Sequence, residues 1–166
     1  PYNEDAVERI FAIKGRMEVK PLPLLCSSLA HARRVARLDE KALKLAKLWP
    51  GALTLVAELA DTKISQKVTA GTGTVGVRIP NHECATRLID KCGGVIVGTS
   101  ANRSGLGAAR SAEDVLQMLD GLDLLLDAGL TPLGVESTVV DVSKGIKIVR
   151  EGFVSRKQIE SVLADV

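Results

Sequence analysis

Apolar residues recur at helical spacing at Val7, Ile10 and Phe11, behind Asn3, which can cap the segment, and ahead of Gly15, which suits its end. Lys14 lies one turn beyond Ile10 and Phe11 and is expected to emerge at that helix's last turn. "PLPLLCS" then reads as a short extended run limited by Pro21 and Pro23. Two helical patterns follow, Ser28 to Leu38 and Asp39 to Leu48, closed by "WPG", and "ALTLVAEL" reads as a buried strand. The cleanest alternation is "TVGVRIP", with Val75, Val77 and Ile79 on one side and Gly76 and Arg78 on the other. Arg78 is therefore expected to project from a sheet face, where a rigid element holds a site better than a loop.

Beyond a helical stretch near Cys84 to Lys91, "GGVIVG" reads as another buried strand. It delivers the polar run "TSANRSG". Ser111 with Asp114 three residues on is a capping-box signature for a helix over "AEDVLQML", and Ser155 with Gln158 repeats it for the last helix. "LDLLLDAG" reads as a strand and then a turn, and "STVVDVSKGIKIVR" as a hairpin turning at Lys144-Gly145. Helices and strands interleave, yet strands stand next to each other around residues 53–80 and 138–150. That combination predicts an α/β (α+β) domain, a mixed sheet with helices packed on it.

The 166 residues suffice for one domain with a sizeable core, and 46% hydrophobic with 25% charged residues is ordinary for a soluble globular chain. Aromatic residues are few: Tyr2, Phe11, Trp49 and Phe153. Base-stacking platforms for single-stranded nucleic acid are therefore hard to build. With 22 basic against 20 acidic residues the net charge is +2, so an anion site must come from local clustering. Cys26, Cys84 and Cys92 show no CxxC pattern and only two histidines accompany them, which argues against a zinc site and for reduced thiols. No apolar run approaches a bilayer span and no leader pattern opens the chain, so it reads as cytoplasmic, with no membrane contact.

Four stretches could carry chemistry. "KGRMEVKP" sets Lys14, Arg16 and Lys20 at a helix-to-strand junction, either as a solvated face favoured by the helix dipole or as an anion site. "VGTSANRSG" follows a strand with small polar residues that can hold a phosphate, although it is neither a Walker loop nor a dinucleotide fingerprint. In "GVESTVVD", Glu136, Ser137 and Thr138 enter a strand and either point into a cleft or cap the strand end. Arg78 and Arg150, each late in a strand, either form surface ion pairs or clamp one phosphate. His31, with no carboxylate near it in sequence, and His82 read as structural.

Taken in order, "AIKGRMEVKPLPLL", "LWPGALTLV", "TVGVRIPNH", "GTSANRSG", "SAEDVLQML", "LLLDAG", "GVESTVVDV" and "IVREG" resemble the YrdC-like family, from about Ala6 to Gly152. The resemblance implies a twisted mixed sheet with flanking helices and a deep basic cleft. It implies a nucleotidyltransferase reaction: L-threonine, bicarbonate and ATP (with Mg²⁺) give threonylcarbamoyl-AMP and pyrophosphate, supplying the tRNA modification machinery with its threonylcarbamoyl group. The family's KxR and SxN signatures fall on Lys14, Arg16, Ser100 and Asn102. Lys14 and Arg16 are then expected as catalytic residues, and Lys14, Arg16, Lys20, Thr74, Ser100, Asn102 and Arg150 as the nucleotide site. Arg78 and Ser137 are expected to hold threonine, with no metal ligand from the protein.

Three departures accompany the resemblance. A "PT[DE]TVYGLG" segment usual in the family is absent from these residues, so residues 1–166 are expected to be a single domain lacking its N-terminal helix and strands. "GLGAARSAEDV" puts Arg110 where prolines and a hydroxyl residue are commoner, and "REG" replaces the commoner "RPG" while keeping Arg150. An alternative is a double-stranded RNA- or tRNA-binding module without synthase activity, which near-neutral charge limits to weak RNA binding. A third is a carbamoyl-adenylate-forming domain of a hydrogenase-maturation protein.

Overall fold

A computed structural model of the chain describes residues 1–16, 20–131 and 134–164. The first helix is α1 (Glu4–Lys14): the Asn3 side chain accepts from the Ala6 N–H, and Gly15 ends it at φ 55°. Glycine enters this left-handed conformation without the Cβ clash other residues meet. The Gly15 and Arg16 N–H groups bond back to Ala12 and Phe11 carbonyls, which fixes Arg16 directly behind Lys14.

The chain continues through β1 (Leu24–Cys26), α2 (Leu29–Val35), β2 (Ala36–Arg37) and α3 (Glu40–Leu45), the last running into a 3₁₀ turn to Leu48. β3 (Leu53–Leu59), α4 (Gln66–Thr69), β4 (Thr74–Arg78), α5 (Glu83–Lys91) and β5 (Val95–Val97) form the middle. α6 (Ala112–Met118), the hairpin β6 (Thr138–Asp141) and β7 (Lys147–Arg150), and α7 (Arg156–Ala164) complete it. Both predicted capping boxes form: Ser111 with Asp114, and Ser155 with Gln158, exchange side-chain-to-backbone bonds in both directions.

The sheet runs β5-β1-β4-β3-β6-β7, with β2 beside the end of β3. It is mixed, as expected: β1–β4 and β3–β6 are parallel and the other pairs antiparallel. Register sets Leu24, Val77, Leu55 and Val140 in one row across four strands, each 0% exposed. That row packs with Val7 and Phe11 of α1, Val35 of α2, Leu45 of α3, Val68 of α4 and Ile159 of α7. Each such side chain contributes roughly 1.5–3 kcal/mol of burial free energy. Side chains alternate across a strand, so the neighbouring positions Leu25, Arg78, Thr54, Val139 and Arg150 share the opposite face.

Two expectations fail. The helix predicted to Leu38 stops at Val35, because Ala36 and Arg37 pair with Leu59 and Glu58 of β3. A strand edge offering backbone partners overrides helix propensity there. "LDLLLDAG" forms no strand, and Leu124 and Leu126 stand 73% and 52% exposed. An apolar run signals readiness to pair, and the described sheet presents it no partner. Among the described residues no helix is long and apolar enough to cross a membrane.

Candidate functional site

One end of the site is built on Lys14. Its side chain is 4% exposed although it sits at a helix C-terminus, and its ammonium donates to the carbonyls of Ser100 and, at 2.7 Å, Asn102, with Asn102 Oδ1 at 3.4 Å. The Lys14 carbonyl in turn accepts from the Ser104 N–H at 2.9 Å. Asn102 spends its amide on the same task, since Nδ2 donates to Arg103 and Leu106 carbonyls. Lys14 and Asn102 therefore staple the polar loop behind β5, leaving the Ser100 residue on its exposed side. Burial first, and the Arg16 charge second, hold Lys14 below the ordinary lysine pKa.

Arg16 donates through Nη2 to the Pro21 carbonyl at 3.1 Å, while its buried Nε has no hydrogen-bond partner among the described residues. A buried donor left unpaired is costly, so this nitrogen stands to gain from an acceptor. Burial lowers the pKa of Arg16 and of Arg78 alike. Both remain cations, because a guanidinium does not deprotonate in proteins.

The other end lies where β6 begins and β7 ends. Arg150 donates through Nε and Nη2 to the Ser137 carbonyl at 3.2 and 2.9 Å, and its Nη1 pairs with Glu136 Oε2 at 2.6 Å. The Ser137 hydroxyl is 2.9 Å from that of Thr54 and 3.4 Å from Arg150 Nη2. Thr54 was not anticipated; its signal was a lone hydroxyl in the apolar run "ALTLVAEL". Thr138 ties the two segments together, accepting from the Gly152 N–H and donating to the Val154 carbonyl.

Between the two ends lie Gly76 and Arg78 of β4. A Cβ on Gly76 would stand 3.3 Å from Thr54 Cγ2 and 3.5 Å from Pro23 Cβ, and Pro23 accepts from the Gly98 N–H at the root of the polar loop. Gly76 thus keeps the floor low from one end to the other. Arg78 donates through Nε to the Gly51 carbonyl at 2.8 Å. Thr74 stands at the start of β4, hydroxyl to hydroxyl with Thr72 at 3.0 Å, and Lys20 is exposed beside Pro21. The Arg110 guanidinium lies against Gly134, two residues before Glu136.

Two cavities of about 600 Å³ lie elsewhere, one lined by Arg33, Arg37 and Glu58 and the other by Trp49, Pro50 and His82. His31 Nδ1 meets the hydroxyls of Ser27 and Ser28, and Ser27 donates to Asp90, so a carboxylate lies closer than the sequence implied. His82 caps α5. Among the described residues no group of three or more His, Cys, Asp or Glu is arranged to hold a metal ion.

A sheet packed by helices on one face and carrying arginines, a buried lysine and hydroxyls on the other defines an α/β domain with a face suited to anions. The chain belongs to the Sua5/YciO/YrdC family, described as telomere recombination, which its residues 1–152 match. It is 38% identical over 174 aligned residues to the threonylcarbamoyl-AMP synthase of Bacillus subtilis (strain 168), covering 99% of this chain and 49% of the relative. The threonylcarbamoyl-AMP synthase of Pyrococcus abyssi (strain GE5 / Orsay) is 37% identical over 168 residues, with the same coverage. The solved structure of P. abyssi Sua5 complexed with L-threonine superposes with a TM-score of 0.92, at 37% identity, over 99% of this chain and 49% of that one. The chain spans about half the length of the curated relatives it matches.

Proposed function

We propose that this chain carries the nucleotidyltransferase site of a threonylcarbamoyl-AMP synthase, acting in the cytoplasm, where Cys26, Cys84 and Cys92 would stay free thiols. The L-threonine amine bonds to the carbon of bicarbonate, which loses water to give the carbamate; a carbamate oxygen then bonds to the α-phosphorus of ATP as the bond to pyrophosphate breaks. The product supplies the tRNA modification machinery. Two anions must approach each other, so the chemistry asks for fixed positive charge and positioning more than for a general base.

The observation that carries this reading is the unpartnered, buried Nε of Arg16 beside the Lys14-stapled loop. In it, Arg16 donates to phosphate oxygens and Ser100 adds a neutral donor. Lys14 contributes charge and, with Asn102, holds the loop still. Lys20, Thr74 and Arg150 complete the nucleotide site, and Arg78 with Ser137 receives threonine. Mg²⁺ enters with ATP as part of the substrate, since an ion held on phosphates and water needs few protein ligands.

Pyrophosphate release measured with and without threonine and bicarbonate tests this. Release is expected to require both, and Arg16→Ala is expected to lower it about 100-fold, as loss of one charge-stabilising donor does elsewhere. Release indifferent to threonine, or none from the wild-type chain, would overturn it.

A further inference from the structure

Arg150 differs from the other site arginines in the company it keeps. Arg16 and Arg78 donate to backbone carbonyls, of Pro21 and Gly51, whereas Arg150 also holds a carboxylate, Glu136. A guanidinium presents its donors in one plane as two forks. The side fork of Arg150, Nε with Nη2, is taken by the Ser137 carbonyl at 3.2 and 2.9 Å. The fork left for a phosphate or carboxylate is the end one, Nη1 with Nη2, and Glu136 Oε2 sits 2.6 Å from Nη1.

We infer that Glu136 is a built-in competitor for the anion subsite of Arg150, limiting how tightly nucleotide is held and taking the arginine back as an anionic product leaves. This rests on the proposed function. The contact is fit for exchange: the two side chains are 45% and 58% exposed, and pairs that open to water are weak. A bidentate phosphate is the stronger partner for an arginine. The position of Glu136 is nonetheless fixed, because its carbonyl accepts from the Phe153 N–H at 3.0 Å and the backbone of Gly152 lies against it. The carboxylate thus returns to the same place after each exchange, keeping the guanidinium aligned on Ser137.

The test is ATP binding by the wild-type chain, Glu136→Gln, Arg150→Ala and the double variant, with calorimetry for affinity and stopped-flow for dissociation. Glu136→Gln keeps the shape and removes the charge. It is expected to tighten ATP a few-fold, at most about fivefold, with the gain in slower dissociation. In the Arg150→Ala background the same change is expected to do nothing. Affinity unchanged or weakened by Glu136→Gln, or a gain that survives Arg150→Ala, overturns the competitor role while leaving the synthase reading intact. No ATP binding by the wild-type chain overturns both.

Discussion

Burial and the Arg16 charge make Lys14 easier to deprotonate, and a bound anion acts in the opposite sense by favouring the ammonium. Between the free and bound pKa values, binding must therefore take up a proton, and affinity must fall as pH rises. Calorimetry of ATP binding over a series of pH values up to the ordinary lysine range, in buffers of different ionisation enthalpy, should show this uptake; a heat independent of buffer throughout would exclude it. For folding, the unfolded chain binds the Lys14 proton more tightly, so the charged side chain costs stability at neutral pH. That cost fades as pH rises from the folded toward the ordinary lysine value. The sequence singled out Lys14, Arg16, Arg78, Ser137 and Arg150 as candidates for one site. It could not say that all the Lys14 donors are spent on carbonyls 86 and 88 positions away, nor that Thr54 meets Ser137 across 83. Such partners are set by sheet register and loop path, which leave no local mark.

Among the elements, the junction of the β6–β7 hairpin with α7 is tightly built. A Cβ on Gly152 would stand 2.3 Å from the Glu136 carbonyl oxygen and 2.8 Å from the Ser137 carbonyl carbon, both backbone atoms that cannot step aside cheaply. Gly152→Ala is expected to destabilise the fold by about 1–3 kcal/mol, as overpacking generally does. It should also weaken ATP binding by moving Ser137 off Arg150. Thermal unfolding and a binding titration on the same sample check both, and a variant with wild-type melting would show that the junction yields. Helix caps were readable in advance because a capping box is written within four residues, as at Ser111–Asp114. The ends of α2 and the run "LDLLLDAG" were not, since a strand exists only where another strand supplies its hydrogen bonds.

For the whole molecule, stability and recognition divide by strand parity. Leu55 lies in the fully buried row with Leu24, Val77 and Val140. Leu55→Ala is expected to cost about 2–5 kcal/mol, the range for emptying a packed leucine site. The folded fraction should keep wild-type affinity for ATP, and chemical denaturation beside the binding titration would expose any coupling between the two. Alternation was the strongest signal in the sequence, which is why the mixed sheet and the outward aim of Arg78 could be foreseen.

That division is visible within a single strand. The seven residues of β3 alternate, Leu53, Leu55 and Ala57 toward the helix-packed interior and Thr54 toward the face that carries Ser137. Substitutions at every second position can therefore remake that face while the positions between go on holding the scaffold together.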